Sequence, residues 1–252
     1  MKQLIDNNNY VYNRGSEYGI YIIHGFTNST YEIRDLTNYL AKKGYYTVAN
    51  NLPGHGTSVN DCNRCTYIDW ISFVEKDIAE MSNECENIYV IGISMGSVLA
   101  LHLCSVFPIK AAVFAATVIE FKDFIGTNIL TPLLHKLIPL HKKKYSYPQK
   151  IRQSLTYHGY DYWPMSAVNE MRKLTNKVKK ELSLIKNPCL IIESKKDKLQ
   201  LLSNVDLIYN SINSLEKEKF FVNDAGHNLF CLSSDQKIIF EKVASFIKQN
   251  KY

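Results

Sequence analysis

The chain has 252 residues, 46% of them apolar and 21% charged, with a net charge of +6. This is ordinary globular composition, enough for one large core, without low-complexity tracts or internal repeats. No run reaches the ~18–20 consecutive apolar residues of a membrane-spanning helix, and no nucleic-acid motif accompanies the positive charge, so stable membrane insertion and nucleic-acid binding are not expected.

Met1 to Tyr10 is polar and Asn-rich. It has no apolar signal core, so a cytoplasmic chain is expected. Ile20-Tyr21-Ile22-Ile23 is an apolar run that reads as a buried strand ending at His24-Gly25. Ser29 and Glu32 have capping-box spacing. After them Ile33, Leu36 and Leu40 fall on one helical face, and Gly44 stops the helix. Tyr45 to Asn50 reads as the next strand, closed by Pro53-Gly54. Thr66 with Asp69 predicts a second capping box, opening a helix with Ile71, Val74, Ile78 and Met81 along one stripe. Ile88 to Ile93 is a strand, Met95 to Phe107 a helix and Ala111 to Ala116 a strand. This alternation predicts a doubly wound, mostly parallel sheet.

From about Thr117 to Lys186 the rhythm breaks. The segment is Tyr-rich and helical in character, with Pro132, Pro139, Pro148 and Pro164 as punctuation. It also holds the excess charge: Glu120 to Lys186 carries 13 Lys and Arg against 5 Asp and Glu. The βα rhythm returns with a strand at Leu190-Ile191-Ile192, a helix from Leu201 to Ile212, a strand from Lys219 to Val222 and a last helix after Ser233. The expected organisation is a core of residues 1–116 and 187–252, interrupted within the same domain by a helical cap of residues 117–186. Four of the six cysteines lie in apolar or helical segments, as suits reduced thiols. Cys62 and Cys65 form a lone CxxC with no second pair to complete a zinc site.

The strongest chemical signal is Gly92-Ile93-Ser94-Met95-Gly96, a G-x-S-x-G pentapeptide with a buried strand before it and a helix after it. A nucleophile on so sharp a strand-to-helix turn needs small flanking residues. The turn also aims the N-terminus of the following helix at the site, where its partial positive charge favours an oxyanion. A serine hydroxyl is a poor nucleophile near neutrality and needs a base and an orienting acid. In strand–elbow–helix sites of this kind the chain order is Ser, acid, His. Asp197 and His227 fit it, each just past the end of a late strand, where active sites of open α/β sheets gather. The oxyanion donors expected are the backbone N–H groups of Met95 and Phe26. His24 precedes the nucleophile and reads as a residue holding its loop, as does His55. Asp224 and Glu120 are the alternative acids.

These residues resemble the small carboxylesterase and monoacylglycerol-lipase branch of the α/β-hydrolase family. His24-Gly25-Phe26-Thr27 is similar to that branch's HGFTG loop and Gly54-His55-Gly56 to its GHG turn. Lys196-Asp197 is similar to its acid loop, and Ala225-Gly226-His227 to its histidine loop. Tyr162-Trp163-Pro164, with Ala167 and Leu174, resembles the end of its cap. The likeness spans about Gly19 to Ile247 and implies an α/β-hydrolase fold of about seven strands, without the first strand of larger members. Asn28 and Ser97 stand where the branch often has glycine, which bears on the width of the acyl pocket. The implied activity is hydrolysis of short- to medium-chain esters or monoacylglycerols through an acyl-enzyme, with no metal or organic cofactor. The partner expected is a small-molecule ester. The apolar residues Ile129, Leu130, Leu133, Leu134, Leu137 and Ile138 are read either as surface for an acyl chain or as packing onto the core. A thioesterase or peptidase with the same triad, or a non-catalytic ligand-binding relative, are the alternatives.

Overall fold

The structure, a computed structural model, describes residues 6–144, 159–231 and 233–251. Pro148 lies outside the described residues. Six strands run parallel: β2 (Tyr18–Ile23), β3 (Tyr46–Ala49), β4 (Asn87–Ile93), β5 (Ala111–Ala115), β8 (Cys189–Ser194) and β9 (Lys217–Val222). A short edge strand, β1 (Tyr10–Tyr12), pairs antiparallel with β3, giving a seven-stranded sheet in the order β1-β3-β2-β4-β5-β8-β9. β1 was not expected. It is three residues long and partly exposed, too short for a two-residue alternation to show.

Both faces of the central strands are covered, which is why they read as continuous apolar runs rather than alternating ones. The pleat divides their side chains. Ile20, Ile22, Tyr89 and Ile91 pack on one face under α1 (Arg34–Ala41) and the C-terminal helix α8 (Gln236–Gln249). Tyr21, Ile23, Ile88 and Val90 pack on the other. That second face carries α3 (Tyr67–Ser82), α4 (Met95–Val106), α6 (Met165–Glu181) and α7 (Ser203–Ser211), with the short α2 (Val59–Arg64) at its rim.

The helix starts follow two outcomes. Thr66 and Asp69 form the expected capping box: each side chain bonds the other's backbone N–H. Ser29 and Glu32 do not. Residues Thr30–Glu32 make a single 3₁₀ turn, and Ser29 offers no side-chain cap. The Glu32 carboxylate turns instead to Gly25 and Asn28. Gly25 supplies a buried backbone N–H, for which a carboxylate is a stronger partner than a hydroxyl.

β5 and β8 are sheet neighbours although more than 70 residues separate them in sequence. Among the described residues, the chain between them is only partly helical. It holds a π-turn and the one-turn α5 (Thr131–Leu134), then an antiparallel hairpin of β6 (Leu140–Lys142) and β7 (Tyr162–Pro164), then α6. The expectation of a helical cap named no strand in this segment, and β6 and β7 add one antiparallel pair to it. Its strands are three residues each and lie beside prolines, so no periodicity marked them. Ala167 and Leu174 of α6 are fully buried, as an inward stripe requires. Ile129, Leu130, Leu133, Leu134, Leu137 and Ile138 are not packed on the core: Leu133 is 70% and Leu137 78% exposed.

Candidate active site

Ser94 stands between the end of β4 at Ile93 and the start of α4 at Met95, with φ 56° and ψ −116°. A non-glycine residue rarely adopts that backbone, and it persists only where its surroundings over-determine it. Two observations supply the constraint. The Ser94 N–H donates to Ala115 O of β5 at 2.9 Å. The flanking glycines let backbones meet: a Cβ on Gly92 would lie 2.2 Å from Gly96 O, and one on Gly96 would lie 2.1 Å from Ile23 O. The chain is therefore pinned on both sides of the turn, and the hydroxyl stands at the carboxyl end of the sheet.

The structure brings together the three residues expected to act as a unit. His227 Nε2 lies 3.0 Å from Ser94 Oγ, and His227 Nδ1 lies 2.6 Å from Asp197 Oδ2. The Asp197 side chain is 2% exposed and that of His227 14%. Asp197 Oδ1 accepts the N–H of Leu199 at 2.8 Å, which fixes the carboxylate. The loop carrying His227 is held by Asp235, whose carboxylate accepts the N–H groups of Asp224 and Ala225 at 3.0 and 3.1 Å, and by Ser194 Oγ donating to Ala225 O. The other carboxylates weighed as the acid point elsewhere. Asp224 pairs with Lys196 and Glu120 with Lys179, both in exposed positions.

Burial works to lower the His227 pKa, but the hydrogen bond and charge of Asp197, with Glu32 and Glu193 behind it, outweigh burial and hold the imidazole above its ordinary value. Burial works to raise Asp197, and the bonds from His227, Leu199 and Gln200 overcome it, leaving the carboxyl below its usual range. Glu193, the penultimate residue of β8, is pushed up to about 8 by burial and by the neighbouring Asp197 charge. A base must be neutral to accept a proton, so a raised imidazole pKa moves the loss of activity to higher pH as the solution is acidified. The acid limb of kcat/KM should therefore have its midpoint above about 6.5, the ordinary histidine value. A pH-rate profile with its midpoint at or below about 6.0 would contradict the arrangement of charges around His227.

The loop Gly25-Phe26-Thr27-Asn28 lies directly against the serine, since a Cβ on Gly25 would be 3.2 Å from Ser94 Cβ. Buried Glu32 spans this loop: Oε2 accepts the Gly25 N–H and Oε1 the Asn28 side-chain amide, each at 2.6 Å. Asn28, expected to alter the acyl pocket, thus has its amide turned onto Glu32. Ser97, the other departure, bonds Thr117 Oγ1 at 2.6 Å. His24 holds its loop as read: Nε2 accepts the Leu52 N–H at 3.1 Å, so Nδ1 carries the proton and donates to Gly25 O at 2.9 Å. Burial lowers its pKa to about 4, so it is neutral. His55 packs among His24, Phe26, Trp70 and Tyr160.

Glu32, Glu193 and Lys143 were not singled out for the site by sequence. Lys143 is the buried member of the run His141-Lys142-Lys143-Lys144. Its ammonium donates to Thr27 Oγ1 and sits 4.3 Å from the centroid of the Trp163 ring. Burial, its largest influence, lowers its pKa to about 7 against the opposing effects of Cys62, Asp161 and Glu32. Among the described residues all six cysteines are free thiols, and no cluster of His, Cys, Asp and Glu has the makings of a metal site.

The sequence profile of the family described as serine aminopeptidase, S33, matches residues 16–232. The chain belongs to this family. It is an α/β-hydrolase-fold serine hydrolase of the esterase and monoacylglycerol-lipase type. It is 28% identical to a thermostable monoacylglycerol lipase of Bacillus sp. (strain H-257), over 92% of this chain and 91% of that protein. It is 23% identical to a carboxylesterase of Bacillus subtilis (strain 168), over 94% of each chain. A solved structure from work on the metagenome-derived lipolytic enzymes LipS and LipT superposes with a TM-score of 0.85, at 24% identity, over 98% of this chain and all of that one. That likeness speaks for the fold. Among the described residues no helix is long and apolar enough to cross a membrane.

Proposed function

We propose that this hydrolase cleaves carboxylic esters of short to medium acyl chains, monoacylglycerols among them, through an acyl-enzyme on Ser94. The observation that carries the reading is His227 bridging the Ser94 hydroxyl and the Asp197 carboxylate at hydrogen-bond distance on both sides. As Ser94 Oγ attacks the carbonyl carbon, its proton passes to His227 Nε2. Asp197 fixes the tautomer that leaves Nε2 free to accept, and stabilises the imidazolium that forms. The N–H groups of Phe26 and Met95 hold the tetrahedral oxyanion, the first from the loop against Ser94 and the second from the N-terminus of α4. A lost donor of this kind costs roughly 3–4 kcal/mol. His227 then protonates the departing alcohol oxygen. A water, deprotonated by the same imidazole, attacks the acyl-enzyme and releases the acid and the serine. No step draws on a metal or organic cofactor.

Residues 117–186 serve in this reading as a cap over the serine, reaching the site through the hairpin of β6 and β7. That two relatives are a monoacylglycerol lipase and a carboxylesterase supports an oxygen ester as the substrate, and esters are also the easier acyl substrates. The test is a panel of p-nitrophenyl esters from about two to sixteen carbons, run beside monoacylglycerols, acyl-CoA and aminoacyl anilides. Esters up to medium length and monoacylglycerols should have the highest kcat/KM. Faster turnover of acyl-CoA or the anilides would transfer the assignment to a thioesterase or peptidase with the same catalytic residues.

A further inference from the structure

Resting on the reading of Phe26 as an oxyanion donor, we infer that Lys143 is a positioning residue that couples the β6–β7 hairpin to the oxyanion loop, so that the hairpin sets the rate of the chemical step.

Three contacts join the two segments, and a fourth braces them from within the hairpin. Lys143 Nζ donates to the hydroxyl of Thr27. The Tyr160 N–H donates to Thr27 O at 2.9 Å. Trp163 stacks on Phe26 with ring centroids 6.2 Å apart and 15° between planes. The Lys143 ammonium lies over that same Trp163 ring, 4.3 Å from its centroid. The two ends of the hairpin are tied to each other by the Lys143 N–H donating to Asp161 O at 3.0 Å. Thr27 is thus held from one side by a side chain and a main-chain group, while its neighbour Phe26 is held by a ring.

Thr27 needs holding. Its φ is +62°, in the left-handed region that a β-branched residue avoids, and such a residue relaxes when its restraints go. Relaxation there would reorient the peptides next to Phe26. The opposite shoulder of the loop is fixed by Glu32 through Gly25 and Asn28. The loop therefore hangs between an anchor on the hydrolase core, Glu32, and an anchor on the excursion, Lys143. A buried lysine is costly to desolvate, and an apolar side chain in its place could fill the volume but could not bond Thr27.

A residue that only shapes a binding surface alters KM. One that positions an oxyanion donor alters kcat, because the donor's bond tightens in the transition state. Lys143→Met should lower kcat for p-nitrophenyl butyrate roughly tenfold to a hundredfold, with KM changed by no more than about threefold. Affinity for a trifluoromethyl ketone, which mimics the tetrahedral adduct, should fall in step with kcat. Thr27→Val should reproduce the loss, the double variant should lose little beyond either single one, and Thr27→Ser, which keeps the acceptor, should recover several-fold over Thr27→Val. Melting temperatures accompany each variant. Should Lys143→Met not fold, the comparison of Thr27→Val with Thr27→Ser decides. Folded Lys143→Met with kcat within twofold of wild type, or equal rates for the two Thr27 variants, overturns the coupling while leaving the ester-hydrolase reading intact. Turnover in Ser94→Ala within tenfold of wild type overturns both.

Discussion

Ser94→Ala should lower kcat for p-nitrophenyl esters by roughly 10⁴-fold or more while leaving the melting temperature near that of the wild type. The expectation follows from what the hydroxyl does and does not hold. Its hydrogen bond is to His227 Nε2. The turn is held by other groups: the Ser94 N–H on Ala115 O, and the Ser97 and Val98 N–H groups on Ser94 O, none of which involves the side chain. Alanine carries the same Cβ, so the positive φ is no more strained than before. The variant loses the nucleophile and keeps the fold. A small residual rate is expected, because the oxyanion donors and the binding surface persist. Turnover within tenfold of wild type would remove Ser94 from the mechanism.

Gly96→Ala should be strongly destabilising, costing more than about 3 kcal/mol and lowering the melting temperature by roughly 6–12 °C in a chain of this size. The new Cβ would stand 2.1 Å from Ile23 O and 2.6 Å from His24 O. Both are backbone atoms, and Ile23 is the last residue of β2, an interior strand of the sheet, so neither can swing aside as a flexible side chain would. Relief requires α4 to move off β2, opening the packing of Val98 and Leu99 against the sheet. The same displacement would carry Met95 and the serine away from His227, so kcat should fall along with stability. Calorimetry showing a loss of under about 1 kcal/mol would contradict the close approach of α4 to β2.

The fold class was legible because its two covered faces leave a plain mark. Ile20–Ile23 and Ile88–Ile93 are uninterrupted apolar runs, and α3 announces itself through Thr66, Asp69 and a stripe every three or four residues. Ser94 was legible because its pentapeptide sits between such a strand and such a helix. Asp197 and His227 followed from chain order and strand ends, a pattern that places residues near one rim without specifying their distances. The less legible residues act through long-range contacts. Glu32 stands three residues after Ser29, which is capping-box spacing, and nothing local says that a loop amide seven residues upstream will take the carboxylate. Lys143 is one of three consecutive lysines. Which of them is buried depends on the pairing of β6 with β7 across twenty residues, and a charge run shows no pairing. Glu193 sits in a strand whose neighbours are apolar, and its proximity to Asp197 and His227 arises from the turn after β8. Short strands β1, β6 and β7 fall below the length at which alternation separates from chance.

In the proposed mechanism Ser94 carries the acyl group. The most direct measurement is to treat folded wild-type protein with a fluorophosphonate probe, digest it and locate the adduct by mass spectrometry. One stoichiometric label is expected on the peptide containing Ser94, formed in parallel with the loss of esterase activity. A label on another residue, or full inactivation with Ser94 unmodified, would contradict it.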